Sequence, residues 1–189
     1  MKKLLLSILL CCISILCFGQ HLSFMGIPIN GTITSFQNKL IKKGIRPSST
    51  NKYLPIGVRQ FNGYFTNRNA HIYVFYNNRS KIVYMCRVAF DYIYNSKEEA
   101  RDAFESYKEA LGNKYDDVSL NSDVLDEDEQ DPDLFSWAIM QPPIEPGALL
   151  LGYIELQIKD IDYTSYQLWI DYIDSSNQIK NDNYNNSDL

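Results

Sequence analysis

The chain has 189 residues, of which 45% are hydrophobic, 22% are charged and 13% are aromatic. This composition is typical of a globular protein, and it excludes a disordered, collagen-like or membrane-bundle class. The formal net charge of −5 argues against a nucleic-acid partner, because phosphate binding requires a basic surface. The length suits one domain with its own hydrophobic core.

Residues 1–19 have the pattern of a secretory signal peptide. Two lysines precede an apolar run that ends at Phe18, and Cys17 and Gly19 supply small residues at the −3 and −1 positions of a cleavage site. The run is about 15 residues long, whereas a membrane span needs roughly 20, so cleavage is favoured over an anchor helix. Leu16 before the cysteine fits a lipoprotein signal poorly, so lipidation is the less favoured alternative.

Cleavage after Gly19 would make Gln20 the first residue and would leave Cys86 as the one remaining cysteine. The mature chain could then form no internal disulfide, although it would be in an oxidising compartment. We therefore expect a periplasmic or secreted protein with no transmembrane segment, held together by its core alone.

Charge is distributed unevenly along the mature chain. Residues 21–97 carry eleven Lys and Arg against one acid, and residues 98–189 carry five against twenty-two. The basic half could bind an anionic partner, but mutual neutralisation of the two packed halves is the favoured interpretation, because charge asymmetry constrains partners only weakly.

The first structural unit is predicted to be one helix followed by three strands. Thr34 or Ser35 is expected to cap the helix, and Gly44 to end it. Runs of aromatic and β-branched residues predict the strands. These strands are Gln60–Thr66, Ala70–Tyr76 and Lys81–Phe90.

A second unit repeats this order. Ser96 and Glu99 have the spacing of a capping box, which predicts a helix from Ser96 to Lys114. Strands follow at 134–141, 149–159 and 166–173, and the middle one alternates apolar and polar residues as a half-buried strand does. Residues 174–189 are rich in Asn, Asp and Ser, which predicts a disordered tail.

These elements predict an α+β fold, in which two helix-plus-three-strand units form an antiparallel sheet with helices on one face. The single domain is expected to cover residues 20–173, with 24–95 and 96–173 as candidate repeat units. The other face of the sheet would be open to solvent or to a partner.

The segment Phe24-Met25-Gly26-Ile27-Pro28-Ile29-Asn30-Gly31-Thr32 resembles the opening of small, uncharacterised exported proteins of gut anaerobes. The later Phe61-Asn62-Gly63 and Val83-Tyr84 segments are similar to that group as well. This resemblance implies a secreted α+β fold and no activity. The doubled helix-and-sheet order also resembles that of tandem-repeat β-lactamase inhibitor proteins, which bind enzymes across a concave sheet; this second likeness is an analogy of topology alone.

One cysteine and one histidine could form a nucleophilic pair. A two-residue turn after Asn77 would place His71 directly opposite Cys86, and an imidazole beside a thiol is how cysteine nucleophiles are activated. The favoured alternative is a buried thiol that acts as a small hydrophobe, because Cys86 shares its face with apolar neighbours. We therefore name no catalytic residue, and the sequence has no His/Cys cluster with zinc spacing and no phosphate-binding loop.

An acidic run between the second predicted helix and the strand at 134–141 contains oxygen ligands of the kind that calcium prefers. The candidate ligands are Asp126, Asp128 and Asp131. The EF-hand pattern fails, because Asp131 and Trp137 stand where glycine and glutamate are required. A solvated acidic loop is the favoured interpretation, and no metal or cofactor is expected.

Three aromatic residues are candidate ligand-binding groups: Tyr153, Trp169 and Trp137. They are expected to lie among polar neighbours on the open face, where Tyr and Trp act as anchors for protein partners or stack on sugars. Ordinary packing between elements is the alternative explanation of these aromatics.

We therefore expect an exported binding module that engages a protein or glycan through an aromatic sheet face, and we consider an enzyme less favoured. The alternatives are a secreted hydrolase with paired carboxylates and a structural envelope protein. A hydrolase would require two acids within about 10 Å of each other across a pocket.

Overall fold

The computed structural model describes residues 21–115, 136–141, 150–162 and 164–186. The candidate calcium ligands Asp126, Asp128 and Asp131 and the predicted signal peptide lie outside these ranges. The strands are β1 Ser23–Phe24, β2 Ile27–Pro28, β3 Arg46–Pro47, β4 Val58–Phe65, β5 Arg68–Tyr76, β6 Val83–Tyr94, β7 Ser136–Gln141, β8 Gly152–Asp162 and β9 Ser165–Asp174. The α-helices are α1 Ile33–Lys42, α2 Lys97–Tyr115 and α3 Ser175–Asn186, and a 3-10 helix spans Ser49–Tyr53.

Seven strands form one antiparallel sheet in the order β3-β4-β5-β6-β9-β8-β7, and β1 and β2 form a separate hairpin. The expectation of an α+β fold with an antiparallel sheet and helices packed against it is confirmed. The strand order joins β4-β5-β6 to β9-β8-β7 through the β6–β9 pair. That these two halves form an internal repeat remains a prediction.

The hydrophobic core lies on one face of the sheet, because successive residues of a strand point to opposite faces. Alternate residues of β5, β6, β8 and β9 are fully buried on this face. Helix α1 adds Phe36 and Leu40 to the core, and α2 adds Phe104 and Leu111. We call this side the core face. Among the described residues, no helix is both long and apolar enough to cross a bilayer.

Short polar side chains cap the N-termini of α1 and α2. Thr32 caps α1 by accepting the backbone N–H of Ser35, so the cap lies two or three residues before the predicted position at Thr34 or Ser35. Ser96 accepts the N–H of Glu99 at 3.1 Å, which agrees with the helix start predicted from the capping-box spacing. The two predicted helices are therefore present with boundaries shifted by one to three residues.

The tail that was predicted to be disordered contains helix α3. Asp174 accepts the backbone N–H of Asn177 at 3.0 Å, and the Asn177 side chain donates to the carbonyls of Ile29 and Val83 at 2.9 and 3.0 Å. Disorder was predicted for this segment because its residues can bury little apolar surface. Here buried polar side chains satisfy backbone groups of distant segments, and this anchors a polar helix to the domain.

Candidate functional site

The face of the sheet opposite the core carries a continuous set of aromatic and polar side chains. We call it the open face. Strand register places the following residues on it: Val58, Gln60 and Asn62 of β4; His71, Tyr73 and Phe75 of β5; Met85, Arg87 and Ala89 of β6; Gln167, Trp169, Asp171 and Ile173 of β9; and Tyr153, Glu155, Gln157 and Lys159 of β8.

An ion pair occupies the centre of the open face. Arg87 donates from Nε to Asp171 Oδ1 at 2.7 Å and from Nη2 to Asp171 Oδ2 at 2.6 Å. The Asp171 side chain is only 3% exposed, and that of Arg87 is 24% exposed. The two residues are direct partners in the β6–β9 register, so the backbone itself aligns the guanidinium with the carboxylate.

Trp169 lies against this pair. The Arg87 guanidinium carbon is 4.3 Å from the centre of the Trp169 ring, and the Lys159 ammonium is 6.0 Å from it. The indole N–H donates to Gln167 Oε1 at 2.7 Å. The ring is therefore held by a cation–π contact and by the hydrogen bond that it donates to Gln167 of its own strand.

Tyrosines surround the central pair. Tyr73 is the β5 partner of Arg87, and burial, followed by the charge of Asp91, raises its pKa. Tyr153 is half-buried at the border with α3, where its hydroxyl forms a hydrogen bond with Gln178. Burial, followed by the charge of Glu155, raises the pKa of Tyr153. Tyr153 and Trp169 thus lie on the predicted face, and their role in binding remains a prediction.

Trp137 is not on this face. It pairs with Leu156 in the β7–β8 register, lies on the core face and is 5% exposed. The expectation that Trp137 shares the polar face was wrong, because a sequence does not show which alternate residues of a short, isolated strand point inward. Its indole nitrogen is buried and has no hydrogen-bond partner among the residues that the structure describes.

The less favoured His71–Cys86 pair does not form, and Cys86 is buried, in agreement with the favoured interpretation. The β5–β6 connection is longer than a two-residue turn: the Asn77 N–H donates to the Ile82 carbonyl, and the register shifts again after Phe75. His71 therefore faces Ala89 on the open face, whereas Cys86 faces Val74 on the core face. Burial raises the pKa of the Cys86 thiol well above its usual value.

Opposed carboxylates do occur on the open face, at Glu155 and Asp171, which are direct partners in the β8–β9 register. A glycosidase needs one carboxyl group that protonates the leaving group and another that attacks or activates water. Both Asp171 oxygens are engaged by Arg87. This pair is therefore unsuited to the two-carboxylate mechanism.

Two cavities lie at opposite ends of the sheet. The larger, of about 570 Å³, is an open groove lined by Arg68, Asn69, Asp91, Tyr92, Tyr94, Glu99 and Ala103. The smaller, of about 200 Å³, is polar and is lined by His21, Asn30, Gly31, Asn77, Ser80, Ile82, Asn177, Lys180 and Asn181. We call the first the tyrosine groove.

Sequence reasoning missed the tyrosine groove because the predicted third strand ended at Phe90. The signal that could have found it is the Asp91-Tyr92-Ile93-Tyr94 segment, which continues the strand pattern directly up to the α2 cap. Within the ranges that the structure describes, no group of three or more His, Cys, Asp or Glu residues is placed to hold a metal ion.

No protein-family model matches the chain, and no curated protein or solved structure shows significant similarity to it.

Proposed function

We propose that the protein is an exported recognition module that binds another protein through the open face of its sheet. The observation that supports this most directly is the arrangement of Arg87, Trp169 and Asp171. Arginine, tryptophan and tyrosine are the residues that most often dominate the binding free energy of protein interfaces.

The central arginine is preorganised for binding. Its two hydrogen bonds to Asp171 and its contact with Trp169 hold the guanidinium in one position before any partner arrives. Binding then orders few additional rotamers, which lowers the entropic cost of association.

The surroundings of this centre suit a protein more than a sugar. A sugar stacks on a free aromatic face, but the guanidinium of Arg87 already lies against the Trp169 ring. Glu155 and Lys159 add one charge of each sign within the same strand, a pattern that complements a mixed protein surface. Trp169 and Arg87 line neither the tyrosine groove nor the smaller cavity.

Site-specific photocrosslinking in the envelope of the producing cells tests this proposal. A photoreactive amino acid at Gln157, next to Trp169 on the open face, should yield one predominant protein adduct. The same probe at Tyr53, which is 77% exposed on the 3-10 helix, is the matched control and should not yield that adduct.

Adding Trp169→Ala to the Gln157 probe should abolish the adduct while thermal unfolding shows a folded chain. Equal adducts from both probe positions, or an adduct that persists without Trp169, would exclude the open face as the binding surface. Binding of the wild-type chain to a polysaccharide gel with loss in Trp169→Ala would favour a glycan at this face instead.

Export itself is tested by the N-terminus of the protein purified from the same cells. Mass spectrometry should find a chain that begins at Gln20, the residue after the predicted cleavage site. A chain that retains Met1 in the cytosol would exclude export.

A further inference from the structure

The tyrosine groove has the features of a second binding site, separate from the arrangement around Trp169. It lies between the ends of β5 and β6 and the first turns of α2, and its volume of about 570 Å³ is within the range of ligand pockets. Aromatic rings, hydrogen-bond donors and carboxylates meet in it. We propose that it binds a neutral oligosaccharide.

A break in the β6–β9 ladder creates the groove. Ala89 pairs with Trp169 and Ile93 with Gln167, so three residues of β6 lie opposite the single residue Leu168. The Gln167 side chain donates to the Phe90 carbonyl at 2.6 Å, which satisfies a backbone group that the ladder leaves unpaired. Such bulges redirect side chains next to functional sites, and this one directs Tyr92 into the groove.

The Tyr92 ring is exposed but fixed. It is 51% exposed, and its hydroxyl donates to Glu99 Oε1 at 2.8 Å. Its ring meets the buried Tyr94 ring edge-on, with centroids 4.8 Å apart. A ring held by a neighbouring ring and by its own hydroxyl loses little freedom when a flat, weakly polar ligand binds against it.

The polar groups around the ring include both donors and acceptors. Arg68 donates to the Tyr94 hydroxyl at 3.4 Å and lines the groove beside the exposed Asn69. Asp91 and Glu99 supply carboxylate oxygens, and the Asp91 side chain is 45% exposed.

This combination discriminates between ligand classes. The lining carries two carboxylates, Asp91 and Glu99, against one guanidinium, Arg68, so it disfavours an anionic ligand, and a simple cation would leave the Arg68 donors unused. Sugar hydroxyls both donate and accept hydrogen bonds, and the apolar face of a pyranose ring can cover the Tyr92 ring. The groove is open to solvent and not enclosed, which suits a chain of sugars more than a single buried monosaccharide.

Calorimetric titration of the mature chain with four neutral hexasaccharides tests the proposal. The probes are maltohexaose, cellohexaose, mannohexaose and xylohexaose. At least one should bind, and Tyr92→Ala should weaken that binding by about tenfold or more, which corresponds to ~1.4 kcal/mol. Tyr92→Phe, which keeps the ring and removes the Glu99 contact, should retain most of the affinity.

Tyr53→Ala is the matched control, because it removes an exposed tyrosine elsewhere on the surface and should leave the affinity unchanged. Glu155→Ala, which changes the open face opposite Asp171, should also leave it unchanged. Sugar binding and the protein adduct at the Gln157 probe are measured separately, so failure here and failure of the proposed protein-binding function are distinguishable. Absence of binding to all four sugars, or equal loss in Tyr53→Ala and Tyr92→Ala, would overturn the proposal. Preferential binding of an oligolysine peptide over the four sugars would also overturn it.

Discussion

The buried carboxylate of Asp174 accepts the backbone N–H of Leu22 at 3.0 Å, across a sequence separation of 152 residues. The same side chain accepts the N–H of Asn177 at the start of α3 and contacts His21 Nδ1 at 3.0 Å. One side chain thus ties the beginning of the described domain to its last strand and last helix.

Replacing Asp174 should therefore destabilise the fold. Asp174→Ala leaves two buried backbone N–H groups without acceptors, and we expect a loss of about 2–4 kcal/mol in the free energy of unfolding. Urea denaturation measures this loss. Asp182→Ala, which removes an exposed carboxylate from α3, should change stability by less than about 0.5 kcal/mol. Equal effects of the two variants would contradict the anchoring role.

The Arg87–Asp171 pair leads to a second prediction. Asp171→Ala leaves a mostly buried guanidinium without its partner and should cost roughly 3 kcal/mol. The double variant Arg87→Met/Asp171→Leu removes both charges and should lie within about 1 kcal/mol of the wild type. Thermal and urea unfolding of both variants check this. A double variant as unstable as the single one would show that the pair is needed for more than charge compensation.

Replacement by alanine should lower the stability of the protein at two glycines, Gly152 and Gly63, and raise it at a third, Gly112. A Cβ at Gly152 would collide with the backbone carbonyl oxygen of Ile173, so Gly152→Ala should destabilise by about 3 kcal/mol or more. At Gly63 the collision is with the side-chain end of Ile45, which is able to move, and the cost should be nearer 1 kcal/mol.

Gly112 provides the contrast. It lies within α2, and a Cβ there would meet nothing within 4 Å. Gly112→Ala should stabilise the protein by about 0.5–1 kcal/mol, because alanine loses less backbone entropy in a helix. Calorimetric melting of the three variants should rank them in this order. A destabilised Gly112→Ala would contradict the described course of α2.

The buried thiol predicts a pH dependence. Burial, followed by the charge of Asp171, raises the folded-state pKa of Cys86 above its ordinary value of 9.0. The unfolded chain therefore loses this proton first, so the contribution to stability is complete below about pH 9 and declines as the pH rises above it. Cys86→Val should reduce the alkaline loss between pH 9 and 11 relative to the wild type. Identical pH profiles of unfolding free energy would contradict this assignment.

The same burial predicts that iodoacetamide does not label Cys86 in the folded mature protein. Denaturation in urea should expose the thiol and allow one label per chain, as measured by intact mass. Labelling of the folded protein at the rate of a free thiol would contradict the described position.

Local patterns predicted the secondary structure well. Helices α1 and α2 and the six strands β4 to β9 follow from capping residues and apolar alternation, as in β8, where Ile154, Leu156 and Ile158 are fully buried. These signals lie within a few residues of each other along the chain. The fold class follows from them because hairpin-linked strands form antiparallel sheets.

The features that the sequence did not predict depend on contacts between distant segments or on a strand register that is set to the single residue. His71 and Cys86 were misplaced because the length of one turn and one bulge decided their alignment. Helix α3 was missed because the partners of Asn177 lie 148 and 94 residues away. The tyrosine groove depends on a two-residue excess in β6 relative to β9. The Asp91–Tyr94 segment shows that the strand continues, but the excess is set by the pairing of two distant strands.

The inward position of Cys86 has a practical consequence for spectroscopy. Outside the predicted signal peptide the chain contains no other cysteine, so a surface cysteine introduced by mutation would be the one readily accessible attachment point in the folded protein. Dyes, spin labels or gold surfaces could then be coupled at a chosen position without first removing the native Cys86. Distances between the sheet and any bound molecule would become measurable in the otherwise unaltered chain.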